Sequence, residues 1–440
     1  MRRIAIVGSG IIGLIAAYGL RKKGHAVTLY SDRTPVQWLR ESRPTGTAAR
    51  FELALSYERE LGLNHWEEVA PNGEGVFLTF CPKTHQQLIR LFGRGEKPFQ
   101  AVDMRMQCHR WLSDFEGRVV IENVTPERLE SIAAENDLTL VAAGKSDLCN
   151  LFSRDAARSP YDAPQRNLTM VIATGRMSVD GCPYLPVKFE FLGTDGEIFF
   201  VPYLHKDVGA SWNIVIEAKP GSRIDRFAGV RSGEEALSIA QNVVTELFPW
   251  SGSWIRGMKL ADPMGWLSGR IAPTVRHPVA KLPSGRIVAG LGDTAISFDP
   301  IAAQGANTGV KQARHLVEAI AAHDGPLDEA FLTTTFAAFW NEHARWACAF
   351  NNMFLEPIPA PAKELLIAQT GSPAIADAFF ANFNDPRLYT RAFLDMSAAR
   401  ALVRAKTGSW LRSAIAGRAR VLYGLLRQEP RLSDAGAPLA

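Results

Sequence analysis

Two glycine-centred strings, far apart in the chain, have the residue types and spacing to hold a nucleotide cofactor. The first is Gly8-Ser9-Gly10-Ile11-Ile12-Gly13. Ile4 to Val7 reads as a strand leading into it, and Ile11 to Leu20, rich in Ala, Leu and Ile, as a helix leaving it. Gly8 permits the tight turn, Gly10 lets backbone approach a pyrophosphate, and Gly13 lets the helix pack on the strand. The helix N-terminus offers unpaired N–H groups and partial positive charge to phosphates. His25 to Tyr30 reads as the second strand of this β-α-β unit. The acid expected at its end would fall at Ser31. Asp32, one place later and followed by Arg33, is the candidate to hold the adenosine ribose; the alternative is a turn-forming Asp.

The second string is Gly290-Leu291-Gly292-Asp293, which follows the apolar run Ile287-Val288-Ala289. Pro300 comes seven residues after Asp293, and Gln304-Gly305-Ala306-Asn307 then opens a helix. Asp293 at a strand end suits a ribityl hydroxyl. A helix N-terminus beyond it would stabilise negative charge developing on a flavin ring. NAD enzymes do not need this second half-site, so the expected cofactor is FAD.

No Ser/His/Asp or Cys/His set stands out, and none of the histidines falls in a metal-ligand spacing such as HExxH. His109, His277 and His343 read as surface or satisfied structural residues, and no metal site is expected. A cofactor that carries its own oxidant explains the lack. The protein then has mainly to exclude water and orient the substrate.

The elements that must position these strings follow from the pattern. Gly75 to Phe80 reads as a strand, Arg105 to Phe115 as a helix, and Val119 to Ile121 as a strand. Thr125-Pro126 starts a helix to about Glu135, and Leu138 to Ala142 is a buried-type strand. Between Asn167 and Ala218 come strands without intervening helices, the mark of a largely antiparallel second domain. A helix follows over Glu234–Phe248, another over Asn307–Ala322, and from Asp328 onward the signals are almost all helical. The expectation is an α/β fold: a Rossmann-type FAD-binding domain (1–70, 103–165 and 272–330), an inserted antiparallel-sheet substrate domain (71–102 and 166–271) and a helical C-terminal region (331–440).

Length and composition agree. A chain of 440 residues exceeds one hydrophobic core, and 47% hydrophobic with 21% charged residues is the balance of a globular protein. A net charge of +4 is too small and dispersed to argue for nucleic acid. The five cysteines are scattered without a CxxC pair, which argues against a disulfide framework and fits a reducing cytosol. Met1-Arg2-Arg3 before an apolar run imitates a secretory signal, but glycines punctuate the run and no cleavage site follows. No stretch approaches a membrane span. The expected location is cytoplasmic.

At these residues the chain resembles the flavoprotein aromatic hydroxylases and, within them, the styrene and indole monooxygenase family. The resemblance reaches to about Met396. It includes Asp32-Arg33, Val102-Asp103-Met104-Arg105, Ala143-Gly144-Lys145, Ser159-Pro160-Tyr161 and Pro164-Gln165-Arg166. It continues through Gly290-Leu291-Gly292-Asp293, Asp299-Pro300, Gln304-Gly305-Ala306-Asn307 and Asn382-Phe383-Asn384. The family implies the oxygenase half of a two-component system. A separate NADH-dependent flavin reductase delivers reduced FAD, which reacts with O2, and a C4a-hydroperoxide transfers oxygen to a small aromatic or vinyl-aromatic substrate. Single-component hydroxylases carry Asp-Gly after the middle strand; here that stretch reads Ala143-Gly144-Lys145-Ser146. The resemblance places Arg43 near the flavin ring, with Pro300 and Ala303. The alternative for Arg43 is a solvated arginine.

Departures from the family fall where a substrate would lie. Gly46-Thr47-Ala48-Ala49-Arg50 matches neither the styrene-type nor the indole-type polar set. Phe99 replaces a small residue and Ala303 a glycine. Gly46, Ala48, Arg50, Val76, Leu78 and Phe99 are the candidate pocket residues. If Arg50 points into the pocket, it could pair with a substrate carboxylate; the alternative is a surface salt bridge. The competing readings are a self-sufficient NAD(P)H hydroxylase and a non-catalytic flavin-binding protein. A halogenase is disfavoured for want of a WxWxIP-type string.

Past the resemblance, Trp410, Leu411, Ile415, Val421, Leu422, Leu425 and Leu426 make an apolar stripe, with Arg412, Arg418, Arg420 and Arg427 between. Such a helix lies on a membrane, docks a reductase, or packs on its own protein or the mate of a homodimer.

Overall fold

A computed structural model describes residues 1–81, 89–144, 147–193, 195–355 and 357–426. Its first sheet has the strand order Val279–Lys281, Ile287–Gly290, Leu138–Val141, Arg3–Val7, Ala26–Ser31, Arg118–Ile121. All pairs are parallel except the Val279–Lys281/Ile287–Gly290 hairpin. Ile4, Ala5, Ile6 and Leu140 are fully buried, as strands with both faces covered must be. From Arg3–Val7 the chain crosses through helix Ile11–Lys22 to Ala26–Ser31 on one side, whereas Leu138–Val141 lies on the other. That reversal opens a crevice at the carboxyl ends of the two central strands, where open α/β sheets bind ligands.

The second sheet runs Lys259–Leu260, Asn167–Thr174, Gly209–Ala218, Gly196–His205, Pro186–Leu192, Gly73–Cys81, Ile89–Phe99. It is antiparallel except where Gly73–Cys81 meets Pro186–Leu192. Alternation divides its side chains. Ile198, Phe200, Trp212, Ile214 and Ile216 pack beneath helices Gly233–Leu247 and Pro249–Arg256. Val76, Val187, Phe189, Phe199 and Val201 face the other way, toward the first domain.

The C-terminal helices close the remaining side. Helix Pro373–Asn384 crosses strand Ile89–Phe99 at Gly93, where a Cβ would lie 2.4 Å from the carbonyl oxygen of Ala376. That close approach brings Phe380 and Phe383 over the sheet. Among the described residues, no helix is long and apolar enough to cross a membrane.

Several elements depart from the sequence expectations, helix Pro249–Arg256 and the short strands Lys259–Leu260, Trp266–Gly269 and Val279–Lys281 among them. Helices Pro35–Arg40 and Glu52–Glu60 occupy a stretch that carried no helix assignment, and Ile89–Phe99 adds an edge strand.

Candidate flavin and substrate site

One cavity of ≈ 510 Å³ runs from the first glycine string to the inner face of the second sheet. At its first end Gly8 turns at φ +116°, and a Cβ there would lie 2.5 Å from the carbonyl oxygen of Ala142. A Cβ on Gly13 would stand 2.0 Å from the carbonyl oxygen of Gly8. A Cβ on Gly10 meets nothing within 4 Å, so this residue borders open space at a helix N-terminus that no side chain caps. The arrangement fits a pyrophosphate held on backbone N–H groups.

Ser31 is fully buried, its hydroxyl 2.6 Å from that of Ser9, which in turn accepts from Trp38 Nε1 at 2.9 Å. Asp32 instead lines the cavity. Arg33 donates to it through Nε at 3.0 Å while lying 4.5 Å over the Trp38 ring. Ser31, at the strand end, is taken up by hydrogen bonds of its own, and the acid that faces the cavity is the next residue, Asp32.

Asp293, Asp299, Pro300, Ile301, Ala303, Gly305 and Ala306 line the middle of the cavity. Ala303 adopts left-handed φ +52° and ψ +31° immediately before helix Gln304–Ala321, whose N-terminus no side chain caps. Ala48, across the cavity, has φ +48°. An alanine in this region costs roughly 1–2 kcal/mol, so both turns must be held from outside. Asn307 holds them. Its amide nitrogen donates to the carbonyl oxygens of Ala49 (2.8 Å) and Ala303 (2.7 Å), and its oxygen accepts from Phe51 N–H at 3.0 Å. Gln304 donates to Ala302 at 2.8 Å and to Phe383 at 3.1 Å. Gln312, which the sequence did not single out, accepts from Gly292 N–H at 2.9 Å.

The far end is carbon. Phe51, Val76, Phe99, Val187, Phe189, Phe199, Val201, Phe380 and Phe383 supply it. Phe51 packs on Phe99, Phe380 and Phe383 at ring centroid separations of 5.4 to 5.9 Å.

Ionic clusters brace this frame. Glu197 and Glu217 are direct cross-strand partners, both buried, and like charges so placed repel. Arg166 Nε bonds Glu197 at 2.6 Å, yet burial still pushes that carboxyl up to about 7. Burial, with Asp299 beside it, raises Glu217 well above the carboxylate range, and burial raises Asp299. Asp103, Arg105, His205 and Asp262 form a second cluster, which ties the start of helix Met104–Ser113 to the second sheet. Arg105 donates to Asp103 at 2.7 Å and to Asp262 at 3.0 Å, and His205 Nε2 bonds Asp262. Burial would raise Asp262, but the His205 and Arg105 bonds hold it far below the usual range. His205, Asp207 and Asp262 come close enough to suggest a cation. The His205 Nδ1 already accepts from the backbone N–H groups of Asp207 and Val208 (3.2 and 3.4 Å), which makes the group an ion-pair knot.

Of the residues expected at the site, Gly8, Gly10, Asp32, Arg33, Asp293, Pro300, Ala303, Gly305, Ala306, Gly46, Ala48, Val76 and Phe99 line the cavity. Six do not line it. Arg43 is exposed, its guanidinium 4.4 Å over the Trp266 ring. Leu78 shares a face with Val76 but is buried in the core behind it. Gln304 and Asn307 spend their amides on backbone, so they position the site. Gly13 acts through packing. Arg50 is a clear correction: it is fully buried, ion-paired with buried Glu58 and donating to the Ala48 carbonyl at 2.6 Å. It is therefore neither a pocket cation nor a surface salt bridge. His109 Nδ1 donates to the Pro35 carbonyl oxygen (3.0 Å), His277 is exposed, and His343 lies 3.3 Å from Glu342. Lys145, Ser146 and Arg427 lie outside the described residues.

Residues 144–253 match the styrene monooxygenase A substrate binding domain, and residues 6–67 an NAD(P)-binding Rossmann-like domain. The chain is 28% identical over 406 residues to styrene monooxygenase StyA of Pseudomonas fluorescens, covering 88% of this chain and 93% of the relative. A StyA from a Pseudomonas sp. matches over the same extent. Among solved structures, a triple mutant of the flavin-dependent brominase Bmp2 superposes with a TM-score of 0.58 at 14% identity, over 96% of this chain and 99% of that one. The tetrameric form of 2-methyl-3-hydroxypyridine-5-carboxylic acid oxygenase gives 0.55 at 16% identity, over 93% and 99%. These two likenesses concern the fold.

Proposed function

We propose that this chain, a styrene monooxygenase-like FAD-dependent monooxygenase, is the oxygenase component of a two-component system acting on a small, uncharged aromatic or vinyl-aromatic molecule. A separate NADH-dependent reductase supplies the reduced flavin. One atom of O2 enters the substrate as an epoxide or hydroxyl oxygen, and the other leaves as water. The observation that carries this reading is the cavity, which joins a pyrophosphate cradle to a wall of carbon.

The residues fit FAD, which when bound in reduced form supplies the activation of O2. In this reading residues 1–70, 103–165 and 272–330 hold it. The N–H groups at the start of helix Ile11–Lys22 bind the pyrophosphate, Asp32 the adenosine ribose, and Asp293 a ribityl hydroxyl. The N-terminus of helix Gln304–Ala321, reached through Gly305 and Ala306, favours negative charge on the ring. Residues 71–102 and 166–271 form the substrate wall, to which Phe380 and Phe383 of the C-terminal region add. That wall orients the substrate by shape and keeps water from the reacting oxygen.

The test begins with titration of the purified chain by oxidised and by anaerobically reduced FAD. Tighter binding of the reduced form, no bleaching of FAD by NADH or NADPH alone, and an oxygenated product from styrene or indole once a flavin reductase is added are expected. Fast reduction by NADPH without a partner would replace this reading with a self-sufficient hydroxylase. No affinity for either flavin would replace it with a non-catalytic protein.

A further inference from the structure

The C-terminal helix Trp410–Leu426 covers its neighbour with one edge only. Gly417 sits on helix Ala360–Gln369, where a Cβ would lie 2.3 Å from the carbonyl oxygen of Ile367. Ala414 is buried beside it, and Trp410 and Val421 pack on the core. Arg418 bonds Glu364 at 2.8 Å, and Arg420 donates to the Thr370 carbonyl. The helix is thus fixed in orientation by specific contacts. Its opposite face points outward, with Leu411 66%, Ile415 60%, Leu422 58% and Leu426 75% exposed. Their spacing places all four on a single stripe. Tyr423 is exposed at its margin.

The charge carried by this helix and the one before it has one sign. Between Met396 and Leu426 the chain has Arg400, Arg404, Lys406, Arg412, Arg418 and Arg420 and no acidic residue. A two-fold dimer through this face would set the patch against itself and bring like charges together. The apolar side chains of the stripe stand out from the helix into solvent. A deformable apolar medium with an anionic surface satisfies both features at once.

We infer that this helix, with Arg412 on it and the exposed Arg404 on the preceding helix Met396–Thr407, is a peripheral attachment surface for anionic lipid bilayers, lying in the interface without spanning it. The inference stands apart from the reading of the active site, since none of these residues lines the cavity.

The test is flotation of the full chain with vesicles of phosphatidylglycerol and phosphatidylcholine, against vesicles of phosphatidylcholine alone. Binding to the anionic vesicles should exceed binding to the neutral ones roughly tenfold and weaken as salt shortens the screening length. L411E/L422E and, separately, R404E/R412E should each lose most of it while keeping the parental circular dichroism and melting temperature. Absence of binding, equal binding to neutral vesicles, or variants that bind like the parent would each overturn the inference. A parental dimer in light scattering that L411E/L422E converts to monomer, without vesicle binding, would assign the face to a second copy.

Discussion

The ring of Phe99 fills the space in which a side chain at residue 73 would stand: a Cβ on Gly73 would lie 2.1 Å from Phe99 Cζ. The two are cross-strand partners, and Phe99 borders the substrate end of the cavity. Ring and glycine are therefore one unit. Phe99→Val should enlarge the cavity at a cost of roughly 1–3 kcal/mol and raise kcat/KM for bulkier aromatics relative to styrene. Gly73→Ala should push the ring toward the substrate and shift the preference the opposite way. Product profiles over substrates of graded size check both, and an unchanged ranking in Phe99→Val would remove Phe99 from the specificity wall.

Asn307 ties left-handed Ala303 to the segment just after left-handed Ala48, through three bonds to the backbone of Ala303, Ala49 and Phe51. Asn307→Ala leaves the buried Phe51 N–H and two carbonyls without that partner, a loss of about 1–3 kcal/mol. Flavin affinity measured by fluorescence should fall, because Ala48, Ala49, Phe51 and Ala303 line the cavity. Ala303→Gly should act oppositely on stability, relieving the left-handed strain by up to about 1 kcal/mol against the added chain entropy. Loss of stability in Ala303→Gly would mean that the methyl packs better than the backbone is strained.

The Glu197–Glu217–Asp299 cluster sets the sign of a pH dependence. A carboxyl whose folded pKa lies above its unfolded value holds its proton more tightly in the native state. Its contribution to stability is complete below the unfolded pKa and is lost as pH rises through the folded one. For Glu197 that window runs from 4.5 to about 7, and Glu217, raised further, extends it upward. Each group contributes at most about 1.4 kcal/mol per pH unit. Glu217→Gln keeps a polar partner for Asp299 and removes one titration. Melting temperature should therefore drop less between about pH 6 and pH 8 in the variant than in the parent, and parallel curves would exclude Glu217 as the source.

What the sequence revealed depended on how local each signal was. The first glycine string, its strand and helix, and the G-D-to-N string at 290–307 are determined by neighbours within a few residues, and the cavity forms at both. Strand Ile89–Phe99 was hidden because Gly93, Gly95 and Pro98 interrupt its alternation. Gly93 is there to admit helix Pro373–Asn384, a contact some 280 residues away in sequence. Helix Pro35–Arg40 carries a local signal of its own. Thr34 and Gln37 form a reciprocal capping box ahead of the proline-led turn. Arg50 was misplaced for a different reason. A buried partner eight residues further along the chain looks, in sequence, like any exposed glutamate.

That partner, Glu58, makes a sharp prediction about substrate charge. Arg50 and Glu58 are both essentially inaccessible, and burial pushes the Glu58 carboxyl up while Arg50 draws it back down. Removing one member leaves the other as an uncompensated buried group, which costs about 3–5 kcal/mol. Arg50 also steadies the Ala48 carbonyl at the cavity edge. Arg50→Ala should therefore lower stability and reduce turnover of neutral and anionic substrates alike. Replacing both members by apolar residues, as in R50M/E58L, should recover much of the stability. Rates measured on a matched neutral and carboxylated aromatic pair decide the point. A loss confined to the carboxylated member would mean that the guanidinium reaches the substrate after all.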